Sequence, residues 1–177
     1  DPSSVQYVQM KAKNAENIGI KFHQAFFPAT ITNQELTEEI KKINKIPNMC
    51  GIIVQLPLPE HINKKLILDT IDPLLDVDCL GSIASEKFYN ADASMQSQPR
   101  PKGYGRGLNA TMTGLASQTC KSDLHTQVFP TALACMAILD SLDIDLKNKK
   151  IVVMGQGELV GKPVSALLNF RKLNFYI

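Results

Sequence analysis

The sequence predicts an α/β fold, and three observations carry that prediction. Short apolar runs that read as strands alternate with stretches of helical periodicity, and the connections between them are brief. One run, Gly51-Ile52-Ile53-Val54-Gln55-Leu56, is continuously apolar, the pattern of a strand buried on both faces of a parallel sheet. A glycine-bearing turn later stands between such a strand and a helix.

Taken in order, residues 4–17 suit a helix, with Ser3 or Ser4 as its N-cap and Gly19 placed to end it. Residues 20–27 read as a strand closed by Pro28. Thr32-Asn33-Gln34-Glu35 is a capping box, and Leu36, Ile40 and Ile43 follow at helical spacing until Pro47-Asn48 breaks the pattern. The buried strand 51–56 ends abruptly at Leu56-Pro57-Leu58-Pro59; a short helix over 63–70 and a loop over 72–81 come next. Residues 91–128 lose the rhythm, holding four of the ten glycines and no periodicity, and read as an anomalous insertion of low structure. Regularity returns with a helix over 130–142, marked by Leu133, Met136, Ala137 and Leu139. A polar turn at 147–150, a buried strand at 151–154, a helix over 160–168 and a strand at 174–177 then describe a βαβ unit.

Composition bounds the function classes. The 177 residues are 44% hydrophobic, 20% charged and 6% aromatic, an ordinary globular balance that allows one domain or one and a fraction. Nineteen basic against seventeen acidic residues leave a formal charge of +2, too little for a dedicated polyanion binder. Tyr104 among Arg100, Lys102 and Arg106 is thin ground for nucleic-acid stacking, so no nucleic-acid partner is expected. No apolar run reaches the roughly 18 residues that would span a bilayer, so no membrane association is expected either. The chain opens Asp1-Pro2 without a signal pattern and closes inside a β-rich apolar run at 174–177, and we expect it to be a piece of a longer chain. Cys50, Cys79, Cys120 and Cys135 are spread singly, with no metal-ligand spacing; we expect reduced thiols of a cytoplasmic protein rather than two disulfides, and no metal. The sequon Asn109-Ala110-Thr111 is read as chance.

Two constellations carry chemistry. Gly155-Gln156-Gly157-Glu158-Leu159-Val160-Gly161, between strand and helix, is a dinucleotide-binding layout. Its glycines let the backbone approach a pyrophosphate, whose charge the free N–H groups of the helix start stabilise. The spacing G-x-G-x-x-x-G is one residue longer than the commonest fingerprint, and a purely structural turn is the alternative. Ser4, Tyr7 and Lys11 lie at i, i+3 and i+7 of the first helix and share a face, whereas Lys13 points elsewhere. Alone, that lysine would read as a solvated surface residue.

The runs Ser4-Val5-Gln6-Tyr7-Val8-Gln9-Met10-Lys11-Ala12-Lys13, Gly51-Ile52-Ile53-Val54-Gln55-Leu56-Pro57-Leu58-Pro59, Asp76-Val77-Asp78 and Val160-Gly161-Lys162-Pro163 occur in an order that resembles one family. It is the bifunctional methylenetetrahydrofolate dehydrogenase/methenyltetrahydrofolate cyclohydrolase family. The resemblance implies an N-terminal folate-binding α/β domain, residues 1–128, followed by the first part of a Rossmann-like dinucleotide-binding domain, residues 129–177. It implies that Lys11 is the central cyclohydrolase residue, helping to activate water and shuttle a proton, with Gln55 hydrogen-bonding and directing it. Tyr7 would stack on the folate ring system, Asp78 would anchor the pterin N–H donors, and Ser4, Leu56 and Pro57 would complete the substrate site. Asp76 would instead stabilise its loop. Gly155, Gln156, Gly157, Val160 and Gly161 would bind the cofactor, NADP by the family pattern, with tetrahydrofolate as the substrate and a homodimer as the assembly.

Three departures from the family pattern bear on function. Cys79 stands where a glycine usually follows the second aspartate, so a positive φ there would strain the pterin loop. Gln156 and Gly157 replace the usual Arg and Ser, and the lost guanidinium removes a charge partner for a 2′-phosphate, which makes NAD the alternative cofactor. The proline-rich helix start is reduced to Phe129-Pro130-Thr131-Ala132 after the insertion. The expected activity is oxidation of methylenetetrahydrofolate followed by hydrolysis to formyltetrahydrofolate. The rivals are a dehydrogenase-only relative and a non-catalytic folate-binding remnant.

Overall fold

The computed structural model describes residues 2–90, 128–142 and 144–177. The sequence readings on 91–127, among them the insertion, the sequon, Cys120 and the basic cluster around Tyr104, fall outside the described residues.

Helix α1 spans Pro2–Asn17 and ends at Gly19, whose φ of 77° provides the left-handed turn that glycine adopts without steric cost. Ser3 and Ser4, expected at the N-cap position, lie within the helix, which already includes Pro2. Helix α2, Asn33–Ile43, starts where the capping box indicates. Thr32 Oγ1 accepts from the Glu35 N–H at 3.2 Å, and Glu35 Oε2 accepts from the Thr32 N–H at 2.9 Å. Helix α3, Lys64–Thr70, is capped by Asn63, whose Oδ1 accepts from the Leu66 N–H at 3.1 Å. Helix α4, Ser82–Asn90, was not legible in the chain pattern; Asp69 Oδ1, from the preceding helix, accepts from the Ser82 N–H at 2.6 Å. Beyond it come α5 (Pro130–Ser141), a 3₁₀ turn (Leu146–Asn148), β1 (Ile151–Val152), α6 (Gly161–Phe170) and β2 (Phe175–Tyr176).

The βαβ reading of the C-terminal stretch holds: β1 and β2 pair in parallel, Ile151 opposite Phe175 and Val152 opposite Tyr176. The strand expectation at 151–154 is corrected in length and burial. Only two residues pair, and Val152 and Met154 are exposed (57% and 93%), because no described element covers that face. Two further strand expectations fail in the same way. Residues 20–27 are in no strand, and Phe26 is 80% exposed. Residues 51–56 make a single parallel bridge, Ile52 to Asp76, with the Ile52 N–H donating to the Leu75 carbonyl at 2.7 Å; Ile52 is buried but Ile53 is not. A strand takes its regularity from a partner ladder, and an apolar run alone cannot supply one.

Two apolar clusters hold the described residues together. One gathers Leu36, Ile40, Ile52, Ile62, Ile67, Leu68 and Ile71 between α2 and α3. The other joins Cys79, Ala84 and Phe88 to Phe129, Ala132, Met136, Leu167, Leu168 and Leu173, so α4 packs with the C-terminal elements. Phe88 is fully buried and meets Tyr89, Phe129 and Phe170 edge-on, the arrangement that ring quadrupoles favour. Leu80 touches both clusters. Arg171 donates to both carboxylate oxygens of Asp140, at 2.5 and 2.8 Å, tying the end of α6 to α5.

Candidate functional site

Lys11 and Gln55 are 44 positions apart in the chain, and the fold brings them together. Lys11 Nζ donates to Gln55 Oε1 at 3.3 Å, and both side chains are half-buried. The Gln55 amide is held in turn, its Nε2 donating to the Leu56 carbonyl at 2.8 Å. That leaves Oε1 facing the amine. The Leu56–Pro57 peptide bond is cis, which turns the chain sharply immediately after Gln55.

Asp78 belongs to the same neighbourhood. Burial pushes its carboxyl above the ordinary aspartate range; the Lys11 ammonium opposes that shift and the Asp76 carboxylate adds to it. Asp76 is itself buried, with Oδ2 accepting from the Gly81 N–H at 2.7 Å, and its backbone bridges to Ile52. The contrast between the two aspartates is therefore structural: Asp76 closes its loop, and Asp78 lies in the field of the lysine. Between Asp78 and Gly81, Cys79 adopts φ 59° while fully buried, and burial pushes its thiol up to about 12. The positive φ that a glycine would satisfy is thus present, and a side chain is held in it.

Tyr7 lies one helical turn before Lys11 on α1 and is 60% exposed. Ser4 falls in the first turn of the same helix, and Pro57 is exposed next to half-buried Leu56. A hollow of about 170 Å³ lies instead beside α4, lined by Asp69, Ile71, Pro73, Asp76, Gly81, Ser82, Ile83 and Ala84. It shares Asp76 with the loop but is lined by none of Tyr7, Lys11, Gln55 or Asp78.

In the glycine turn Gly155 has φ 88°, and a Cβ on Gly161 would run into the Gly155 carbonyl oxygen. A Cβ on Gly157 would meet nothing within 4 Å. The turn therefore packs tightly where strand meets helix and lies open on its outer side, as a backbone approached by a pyrophosphate requires. Gln156 turns inward, its Nε2 donating to Ser165 Oγ at 3.1 Å. Val160 immediately precedes α6 without a side-chain cap. Glu158 carries a contact that the sequence pattern does not single out: Lys64 Nζ donates to its Oε2 at 2.9 Å. Among the described residues no group of three His, Cys, Asp or Glu could hold a metal ion, and no helix is long and apolar enough to cross a membrane.

Fold and site define a two-part α/β protein, with a helix-borne lysine held by a distant glutamine in one part and a glycine turn opening a βαβ unit in the other. Comparison with known proteins gives the family. The catalytic-domain model of tetrahydrofolate dehydrogenase/cyclohydrolase matches residues 1–78, and the NAD(P)-binding-domain model of the same enzymes matches residues 130–175. The chain belongs to the tetrahydrofolate dehydrogenase/cyclohydrolase family. It is 35% identical over 168 residues to the bifunctional protein FolD of Aliarcobacter butzleri, covering 95% of this chain and 47% of that one. For FolD of a Nitratiruptor species the identity is 36%, over 95% of this chain and 48% of the relative. The crystal structure of FolD from Campylobacter jejuni superposes with a TM-score of 0.75 at 28% identity, over 100% of this chain and 53% of that one. The Trypanosoma brucei enzyme, complexed with NADP cofactor and inhibitor, gives 0.77 at 26% identity, over 100% and 50%. This chain thus spans about half the length of the relatives it matches.

Proposed function

We propose that this chain acts in one-carbon folate metabolism, in the NADP-dependent oxidation of 5,10-methylenetetrahydrofolate and the hydrolysis of the product to 10-formyltetrahydrofolate. The observation that carries the reading is the 3.3 Å hydrogen bond from Lys11 Nζ to Gln55 Oε1, made by two residues whose motifs lie far apart in the chain. In the hydrolytic step Lys11 hydrogen-bonds the attacking water and shuttles its proton, and Gln55 fixes the direction of the amine. Tyr7 stacks on the pteridine, Asp78 accepts from the pterin N–H donors, and Ser4, Leu56 and Pro57 border the substrate. Residues 1–128 form the folate side and 129–177 the dinucleotide side.

Gly155, Gln156, Gly157, Val160 and Gly161 would hold the dinucleotide, and the open outer side of the turn fits its pyrophosphate. A dinucleotide held by those residues would supply the hydride acceptor for oxidation of the substrate methylene carbon. The chain's own contribution to that step is position: the folate side presents the carbon and the turn fixes the cofactor. NAD is the alternative, since Gln156 offers no charge to a 2′-phosphate and is engaged with Ser165. On this reading the full-length protein is a cytoplasmic homodimer that acts on a small-molecule folate, without a nucleic-acid or membrane partner.

A cyclohydrolase assay of the chain against its Lys11→Met variant tests the assignment. Loss of activity in the variant supports it; activity that survives would show another group to be the proton carrier. Calorimetric titration with tetrahydrofolate, NADP and NAD tests the second reading, a non-catalytic folate-binding remnant. That reading requires folate binding with no dinucleotide binding.

A further inference from the structure

Lys64 and Glu158 have no part in the roles above. Lys64 opens α3, whose Ile67 and Leu68 are buried in the N-terminal cluster, whereas Glu158 sits at the middle of the glycine turn, 94 positions later. Their 2.9 Å contact therefore joins the element that packs on the folate side to the loop that leads into α6. The carboxylate is set among further polar groups: Lys162 adds to the attraction from Lys64, and the Tyr89 phenol feels its charge. The rest of the turn offers nothing comparable. Gly155 and Gly157 have no side chain, and the Gln156 amide turns inward to Ser165. Glu158 is thus the side chain through which the turn reaches α3.

We propose that Lys64 and Glu158 are a positioning pair that sets the glycine turn against α3 and so holds a bound dinucleotide in register with the folate-side groups. The proposal rests on the dinucleotide reading of the turn. Neither residue touches the reacting atoms; both act through the backbone of the turn. The pair is half-exposed, 50% and 68% by side chain, so its effect is modest and falls as salt screens it.

The test is amide hydrogen exchange over residues 155–161 of the whole chain, with NADP and NAD titrations alongside, for the native protein, Lys64→Met, Glu158→Gln and the swapped Lys64→Glu/Glu158→Lys double variant. Each single variant is expected to speed exchange in the turn by about threefold. The α2 amides should be unaffected, the difference should vanish at about 1 M salt, and the swapped pair should restore slow exchange. Turn exchange that is unchanged in the single variants, or that the swap does not restore, overturns the proposal even where NADP binds. Exchange that follows the expected pattern in a native protein that binds neither NADP nor NAD leaves the positioning of the turn standing and removes the dinucleotide reading instead.

Discussion

Cys79 offers a measurement in which backbone strain can be read apart from everything else. Its φ of 59° is a conformation that L side chains adopt at a cost of about 1–2 kcal/mol, yet the residue is fully buried in the C-terminal cluster. Comparing Cys79→Ala with Cys79→Gly removes the thiol from both proteins, so their difference contains only the methyl group and the backbone. At an ordinary buried site such as Ala84, exchanging Ala for Gly loses about 1 kcal/mol through backbone entropy and about 0.8 kcal/mol through the buried methyl, or about 2 kcal/mol in all. At position 79 the relief of the left-handed strain offsets most of that, leaving about 0–1 kcal/mol. Urea unfolding of the two Cys79 variants, with Ala84→Gly beside the native protein, measures both differences. The gap between the sites should be about 1–2 kcal/mol, and each kcal/mol corresponds to about 2–4 °C in Tm for a domain of this size. Equal costs at the two positions would refute the claim that the loop after Asp78 stores strain.

Other outcomes follow from the same physics. Because burial raises the folded-state Asp78 carboxyl, its contribution to stability is present in acid and is lost as pH rises through the folded value; if Asp78 accepts from the pterin as proposed, folate affinity measured across mildly acidic pH should increase with pH as the carboxylate forms. Alkylation mapped by mass spectrometry at pH 8 should label exposed Cys50 readily and Cys79 only on unfolding, since the latter thiol is buried and stays protonated to about 12. Gly161→Ala should distort the turn by driving a methyl against the Gly155 carbonyl, costing about 1–3 kcal/mol in thermal unfolding and weakening dinucleotide binding in calorimetry. Phe88→Ala should cost about 3–5 kcal/mol in denaturant unfolding, since the ring is fully buried among three other aromatic rings.

What the sequence made legible was what local chemistry determines. Thr32 and Glu35 satisfy each other's neighbours within one turn, and Gly19 ends a helix through its own φ, so both could be read from a few adjacent letters. Pairing between β1 and β2 was legible because a strand, a glycine turn, a helix and a second strand leave little choice of topology. The strands expected at 20–27 and 51–56 were not realised, because apolar character marks a residue for burial but does not supply a ladder partner. Helix α4 escaped notice because its start is stabilised from outside, by Asp69 of α3, while its buried positions Ala84 and Phe88 give only two points of periodicity. At the site, the proximity of Lys11 and Gln55 was implied by the family resemblance and agrees with the geometry. Lys64 and Glu158 were invisible to it, since a surface lysine and a turn glutamate 94 residues apart carry no pattern that joins them.

The tripeptide Asp78-Cys79-Leu80 has a mechanical consequence. Its carboxyl lies in the field of the lysine, its thiol is sunk in one apolar cluster, and its leucine leans on both. Three consecutive residues thus link the aromatic packing around Phe88 to the acid proposed to hold the pterin. Damage to that distant packing would then be felt first as poor grip on substrate, and a lesion that touches no ligand would pass for a binding-site defect.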